Sequence, residues 1–102
     1  MKIINDYLEL IILNILNKEE SNGYLIDKIL SDNKLDIKRE LIYLEFKKLE
    51  KNELITSYWK DSNLEVRKRY YAITKIGKEY LKNKKKEWND NKNILDKLLG
   101  DK

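Results

Sequence analysis

Apolar positions along this chain follow a helical rhythm, break into a two-residue rhythm past the middle, and return to the helical one. From Ile3 to Leu16 the apolar set is Ile3, Ile4, Tyr7, Leu8, Leu10, Ile11, Ile12, Leu13, Ile15 and Leu16. It predicts a helix with too many apolar residues for one core-facing stripe, and hence one with a face buried against another chain. Lys18-Glu19-Glu20-Ser21-Asn22 is a polar turn in which Ser21 or Asn22 caps a second helix carrying Tyr24, Leu25, Ile29 and Leu30. That helix ends at Ser31-Asp32-Asn33-Lys34. A third helix is predicted over Lys38 to Lys51, with Asp36 as its cap and Ile42, Phe46 and Leu49 as its inner stripe.

The rhythm then changes. Leu54-Ile55-Thr56-Ser57-Tyr58-Trp59 and Arg67-Lys68-Arg69-Tyr70-Tyr71-Ala72-Ile73 are β-rich runs around a charged loop, predicting a hairpin with Lys60 to Val66 near its tip. In the second run Val66, Lys68, Tyr70 and Ala72 face one way, and Arg67, Arg69, Tyr71 and Ile73 the other. Trp59 is expected to end the first strand against the core. Tyr70 and Tyr71 are expected in hairpin core and helix packing. Helical spacing resumes at Thr74, a good N-cap, and continues to Leu99. Along this last helix Leu81, Trp88 and Leu95 lie seven apart, a seam that one helix can press on a partner.

Composition narrows the chemistry. The 102 residues make one domain with an adequate core. There is no cysteine and no histidine, which excludes thiol nucleophiles, imidazole bases, disulfides and Cys/His metal sites. No phosphate-cradling glycine loop or nucleophile–base pair is present, so an enzyme is not expected, and neither is a cofactor. A reducing cytoplasm is the expected home. The first helix carries Asp6 and Glu9 and resembles neither a signal peptide nor a membrane span. Charge is unevenly placed: residues 1–37 hold 4 Lys/Arg and 7 Asp/Glu, whereas residues 60–86 hold 10 Lys/Arg and 3 acids. A basic segment on an otherwise balanced chain favours a polyanionic partner. Abundant Lys and Asn also fit surface filler encoded by an AT-rich genome, so position is more telling than composition.

Three helices, a two-stranded wing and a long terminal helix describe a mainly helical α+β fold, the winged helix-turn-helix. The landmarks are Leu8-Glu9-Leu10-Ile11-Ile12-Leu13, Asn22-Gly23-Tyr24, Ile42-Tyr43 with Lys48-Leu49-Glu50, Leu54 to Trp59, Arg69-Tyr70-Tyr71, and Ile73-Thr74 followed by Gly77. In this order and spacing the chain resembles the PadR family of bacterial transcriptional regulators over residues 8 to about 98. Its short terminal helix with Trp88 looks most like the family's compact, multidrug-sensing branch, in which tryptophans line a pore at the dimer centre. The resemblance implies a DNA-binding unit over residues 1–74 and a dimerisation helix over 75–102. Three departures stand out. Glu65-Val66 replaces a usual Gly-Gly in the wing, Leu41 and Leu44 replace Thr and Pro around Ile42-Tyr43, and Lys84 replaces a small apolar residue beside the pore.

Arg39, Tyr43 and Lys47 share the face of the third helix opposite Ile42, Phe46 and Leu49, a face suited to a major groove. Lys38 stands at that helix's start, where backbone amides also attract phosphate. Lys60, Arg67, Lys68 and Arg69 are the wing candidates for phosphate contacts, which give affinity rather than sequence choice. Lys82, Lys84, Lys85 and Lys86 wrap around the last helix and read as a solvated face. Tyr7, Leu8, Ile11, Leu81, Trp88 and Leu95 are the candidates for a dimer interface or ligand site, with Trp88 read as an interface anchor ahead of a ligand wall. The expectation is a homodimeric repressor on double-stranded DNA bearing a pseudo-palindromic operator, with a small-molecule effector possible and no membrane partner. A plasmid or phage protein organising a partition or replication site is one rival; a winged protein-interaction module without DNA binding is the other.

Overall fold

The computed structural model describes residues 2–61 and 67–100, with side chains from Tyr7 onward. The order is α1 (Lys2–Lys18), β1 (Ser21–Asn22), α2 (Gly23–Asp32), α3 (Arg39–Lys51), β2 (Ile55–Lys60), β3 (Lys68–Ile73) and α4 (Lys75–Leu99). The hairpin tip, with Glu65-Val66, lies outside the described residues. β2 and β3 pair antiparallel from Ile55↔Ile73 to Lys60↔Lys68. The sheet has a third strand that the sequence pattern did not reveal: Ser21 and Asn22 pair with Tyr71 and Tyr70, giving the order β1-β3-β2. Two residues are too few to carry an alternation, and Asn22 also caps α2, its side chain accepting from the Leu25 amide at 2.9 Å.

The core gathers Leu8, Ile12, Leu13 and Leu16 of α1, Ile26 and Leu30 of α2, the expected Ile42, Phe46 and Leu49 of α3, and Leu54, Ile55, Tyr71 and Leu81. Each such burial removes a side chain from water for roughly 1.5–3 kcal/mol. The dense apolar run of α1 therefore has a mainly internal cause, since this helix packs on α3, β3 and α4 at once. Among the described side chains of α1, the apolar Tyr7, Leu10, Ile11 and Ile15 are half-buried. Leu8 and Leu81 are 3% and 2% exposed, so these two are core residues and not members of a partner-facing seam. Spacing by seven put Leu81 in line with Trp88 and Leu95, but only the first turns of α4 lie on the domain. Gly77 and Leu81 are buried, and beyond Lys84 the helix runs into solvent.

Two joints set the angles between elements. α2 and α3 each end in a reversal whose left-handed residue is not glycine, Lys34 at φ 64° and Glu53 at φ 62°. In each, an apolar residue closes the turn, Leu35 N–H bonding Leu30 O at 2.8 Å and Leu54 N–H bonding Leu49 O at 3.0 Å. α4 starts directly on the second reversal. The Thr74 hydroxyl accepts from the Gly77 amide at 2.9 Å and lies 2.7 Å from Glu53 O. Gly77 has no room for a Cβ, which would strike the Leu54 carbonyl oxygen. The expected cap of α3 is corrected: the N-cap is Lys38, at φ −57° and ψ 137° and without a side-chain bond, and Asp36 stands two residues too early.

Candidate nucleic-acid interface

On α3, burying Ile42, Phe46 and Leu49 forces the intervening residues outward, so Arg39, Glu40, Tyr43, Leu44 and Lys47 are exposed. Tyr43 is held in place by aromatic packing. Its ring meets Phe46 edge-on at 5.6 Å, and Phe46 stacks on Tyr71 of β3 at 4.1 Å. The Tyr43 hydroxyl lies over Gly23 at the start of α2, in space that a Cβ there would fill. A rigid aromatic thus stands between the third helix and the wing.

The hairpin register places Ser57, Trp59, Arg69 and Tyr71 on one face and Tyr58, Lys60, Lys68 and Tyr70 on the other. Trp59 does not end against the core. It is 54% exposed, paired across the strands with Arg69, and the guanidinium groups of Arg67 and Arg69 lie 5.5 and 5.9 Å from its ring. The core ends at Tyr71, one pair short of Trp59, so the inward-facing register continues past the mass it would need to be buried. Tyr70 and Tyr71 pack as expected, Tyr71 buried and Tyr70 stacked on Tyr58 at 6.1 Å. Lys60 sits 4.7 Å over Tyr70, and Lys68 sits 5.3 Å over Tyr24 of α2. Together Gly23, Tyr24, Tyr43, Trp59, Lys68 and Arg69 line an open groove of about 440 Å³ between the α2 start and the wing. Tyr24 and Trp59 were not among the candidates. Their aromatic character was visible in the sequence, but their exposure follows only from where the core stops.

The arginines are less free than their positions suggested. Arg39 Nη2 lies 3.0 Å from Asp27 Oδ2 of α2, and this bond raises the guanidinium above its already high ordinary pKa. Arg69 contacts Ser57 Oγ at 2.8 Å and Glu50 of α3 at 3.3 Å, and Ser57 donates to the same Glu50 carboxylate at 2.5 Å. Arg67 lies 3.3 Å from Asp61. Arg39 thus ties α3 to α2, and Arg69 of β3 ties its strand to α3 through Glu50 and to β2 through Ser57. Lys38, Lys47, Lys60 and Lys68 are exposed without a carboxylate in ion-pair distance among the described residues.

The sequence profile of the transcriptional regulator PadR-like family matches residues 12–83, which contain this whole surface. The chain belongs to the PadR-like family. An uncharacterized protein of Lysinibacillus sphaericus is 37% identical over 100 residues, covering 95% of this chain and 92% of that one. A PadR family transcription regulator from Clostridium difficile superposes with a TM-score of 0.85 at 34% identity, covering 92% of this chain and 99% of its own. A PadR-like transcriptional regulator from Bacillus cereus gives 0.88 at 28% identity over 100% of both chains. The PadR-like chain is therefore a DNA-binding transcriptional regulator with a winged-helix fold.

The second group of candidates in this PadR-like molecule centres on a separate groove. Tyr7 and Ile11 of α1 and Trp88 of α4, with Ile29, Leu35 and Lys85, line an apolar groove of about 520 Å³. Leu95 is exposed further out on α4, as are Ile94, Leu98 and Leu99. Lys84 lies at the rim, 5.5 Å from the Tyr80 ring and 3.5 Å from Glu87. Of the lysine run, Lys82 and Lys86 are exposed, Lys86 being paired to Asp90 at 3.0 Å, whereas Lys84 is half-buried and Lys85 lines the groove.

Proposed function

We propose that the chain acts as a homodimeric repressor on a pseudo-palindromic operator. Tyr43, Lys47 and the residues beside them on α3 enter the major groove, Lys38 neutralises phosphate at the open start of that helix, and Lys60, Arg67, Lys68 and Arg69 grip the flanking backbone. The observation that carries this reading is the continuous cationic and aromatic surface of α2, α3 and wing around Tyr43 and Lys68. Dimerisation uses the apolar groove around Trp88 and the outer turns of α4, so that two copies of α3 lie one helical turn of DNA apart, ~34 Å. Trp88 acts as an anchor of that interface, with Lys84 at its rim disfavouring an open drug pore. Release from DNA follows from a change in the angle between the two reading units, driven by a small effector. The protein works in the cytoplasm and needs no cofactor.

Fluorescence anisotropy on duplex DNA from upstream of its own gene, against a shuffled duplex and at two salt concentrations, tests the reading. Tight binding to the native fragment that weakens with salt and with Tyr43→Ala supports an operator-bound regulator. Equal weak binding to both duplexes contradicts it and favours a partition-type site or a protein partner.

A further inference from the structure

Leu44 occupies the solvent pole of α3. It lies two residues from both Ile42 and Phe46, which at 100° per residue puts it roughly opposite the buried stripe. Its side chain is 58% exposed, and Leu41, one turn earlier on the adjoining face, is 40% exposed. Glu40 precedes Leu44 by one turn, while Lys47, Lys48 and Lys51 follow it. An apolar side chain at the outermost point of the helix, followed by Lys47, Lys48 and Lys51 with Lys48 paired to Glu45 at 3.5 Å, has the wrong electrostatic surroundings for an ordinary apolar protein surface. It has the right surroundings for duplex DNA, whose phosphates complement those cations.

Resting on the DNA-binding reading above, we propose that Leu44, supported by Leu41, is a specificity-determining residue that reads the 5-methyl group of thymine. That methyl is the apolar group that the base edges present in the major groove, and it is the natural partner of an aliphatic side chain there. The arginine best placed to read guanine, Arg39, already holds Asp27 on α2. Glu40 is an acceptor only, so it suits an adenine or cytosine amino group next to the thymine. Base choice on this helix therefore rests on methyl contact and on amino-group donation to a carboxylate, and less on the arginine–guanine pairing.

The test uses the full-length protein and a duplex that it enriches from a random-sequence library. Each thymine of that duplex is replaced in turn by deoxyuridine, which removes only the methyl, and binding is followed by anisotropy at fixed salt. Wild type should lose affinity about fourfold at one thymine of each half-site, the scale set by one buried methyl-sized group. Leu44→Ala, an exposed change to a better helix former, should bind the thymine and deoxyuridine duplexes alike. Enrichment of a duplex that tolerates deoxyuridine everywhere, or unaltered methyl dependence in Leu44→Ala, overturns the thymine assignment and leaves sequence-specific binding standing. Failure to enrich any duplex overturns the DNA reading itself, and the assignment with it.

Discussion

Leu44 on α3 and Leu95 on α4 are alike in exposure and opposite in setting. Leu44 is followed along α3 by Lys47, Lys48 and Lys51, with Glu40 and Glu45 on the same helix, and that helix is braced to α2 by Arg39–Asp27 and to β3 by Arg69–Glu50. Leu95 stands with Ile94, Leu98 and Leu99 on helical turns that have left the domain, beyond an apolar groove lined by Tyr7, Ile11 and Trp88. An exposed apolar residue is uninformative alone, since much of any protein surface is apolar. The neighbours decide: cations around the first fit it to a polyanion, whereas apolar continuity around the second fits it to another copy of the chain. The two regions also differ in rigidity. α3 is fixed at both ends by side-chain bonds, whereas the outer part of α4 has no tertiary support among the described residues.

The largest effect is expected where the apolar continuity is broken. Leu95→Glu combined with Leu98→Glu should abolish self-association in sedimentation velocity. The far-UV circular dichroism of the domain should stay, because Leu81 and Gly77 hold α4 on the core. A dimer that survives this pair of charges places the interface elsewhere. Trp88→Ala should weaken association by about thirtyfold, the scale of a buried aromatic anchor, as measured by dilution in the same experiment. On the other region, Lys68→Ala should lower the slope of log affinity against log salt by about one while leaving preference between duplexes unchanged. A changed preference with an unchanged slope would make Lys68 a base reader.

The smallest effect concerns the joint between α1 and α4 that links the two regions. The Tyr80 hydroxyl donates to Glu9 at 2.9 Å, and burial together with that carboxylate pushes its pKa up from 10.0 to about 12. The folded chain therefore keeps a proton that the unfolded chain releases above pH 10. The contribution is complete below that pH and is lost as pH rises towards 12. Tyr80→Phe should lower stability by about 1 kcal/mol at neutral pH and flatten the alkaline fall in urea melts. An unchanged alkaline limb would mean that another group controls it.

Much of this was legible before any coordinates. The inner stripe of α3, the hairpin, the Thr74 cap and the extent of α4 follow from periodicity and capping chemistry, because each is a local property of the chain. Other features depend on where tertiary mass ends, and no local pattern encodes that. Trp59 continues the inward register but outruns the core; Leu81 continues the outward heptad but lies within it. Ile26, the buried residue of α2 that the apolar pattern left out, and the two-residue strand β1 are set by packing on α3 and β3. The pairing of Arg39 with Asp27, twelve residues apart, likewise required the helix–helix angle.

Hydrogen exchange read by mass spectrometry, on the protein alone at two concentrations and then with its enriched duplex, addresses the contrast between the two regions most directly. Raising protein concentration should slow exchange along residues 85–99 and leave α3 and the strands unchanged. Adding the duplex should slow exchange in residues 39–51 and 55–73 with no further change in 85–99. Duplex-dependent protection centred on the outer turns of α4, or concentration-dependent protection centred on α3, would contradict the division of the surface into a DNA-reading face and a self-association face.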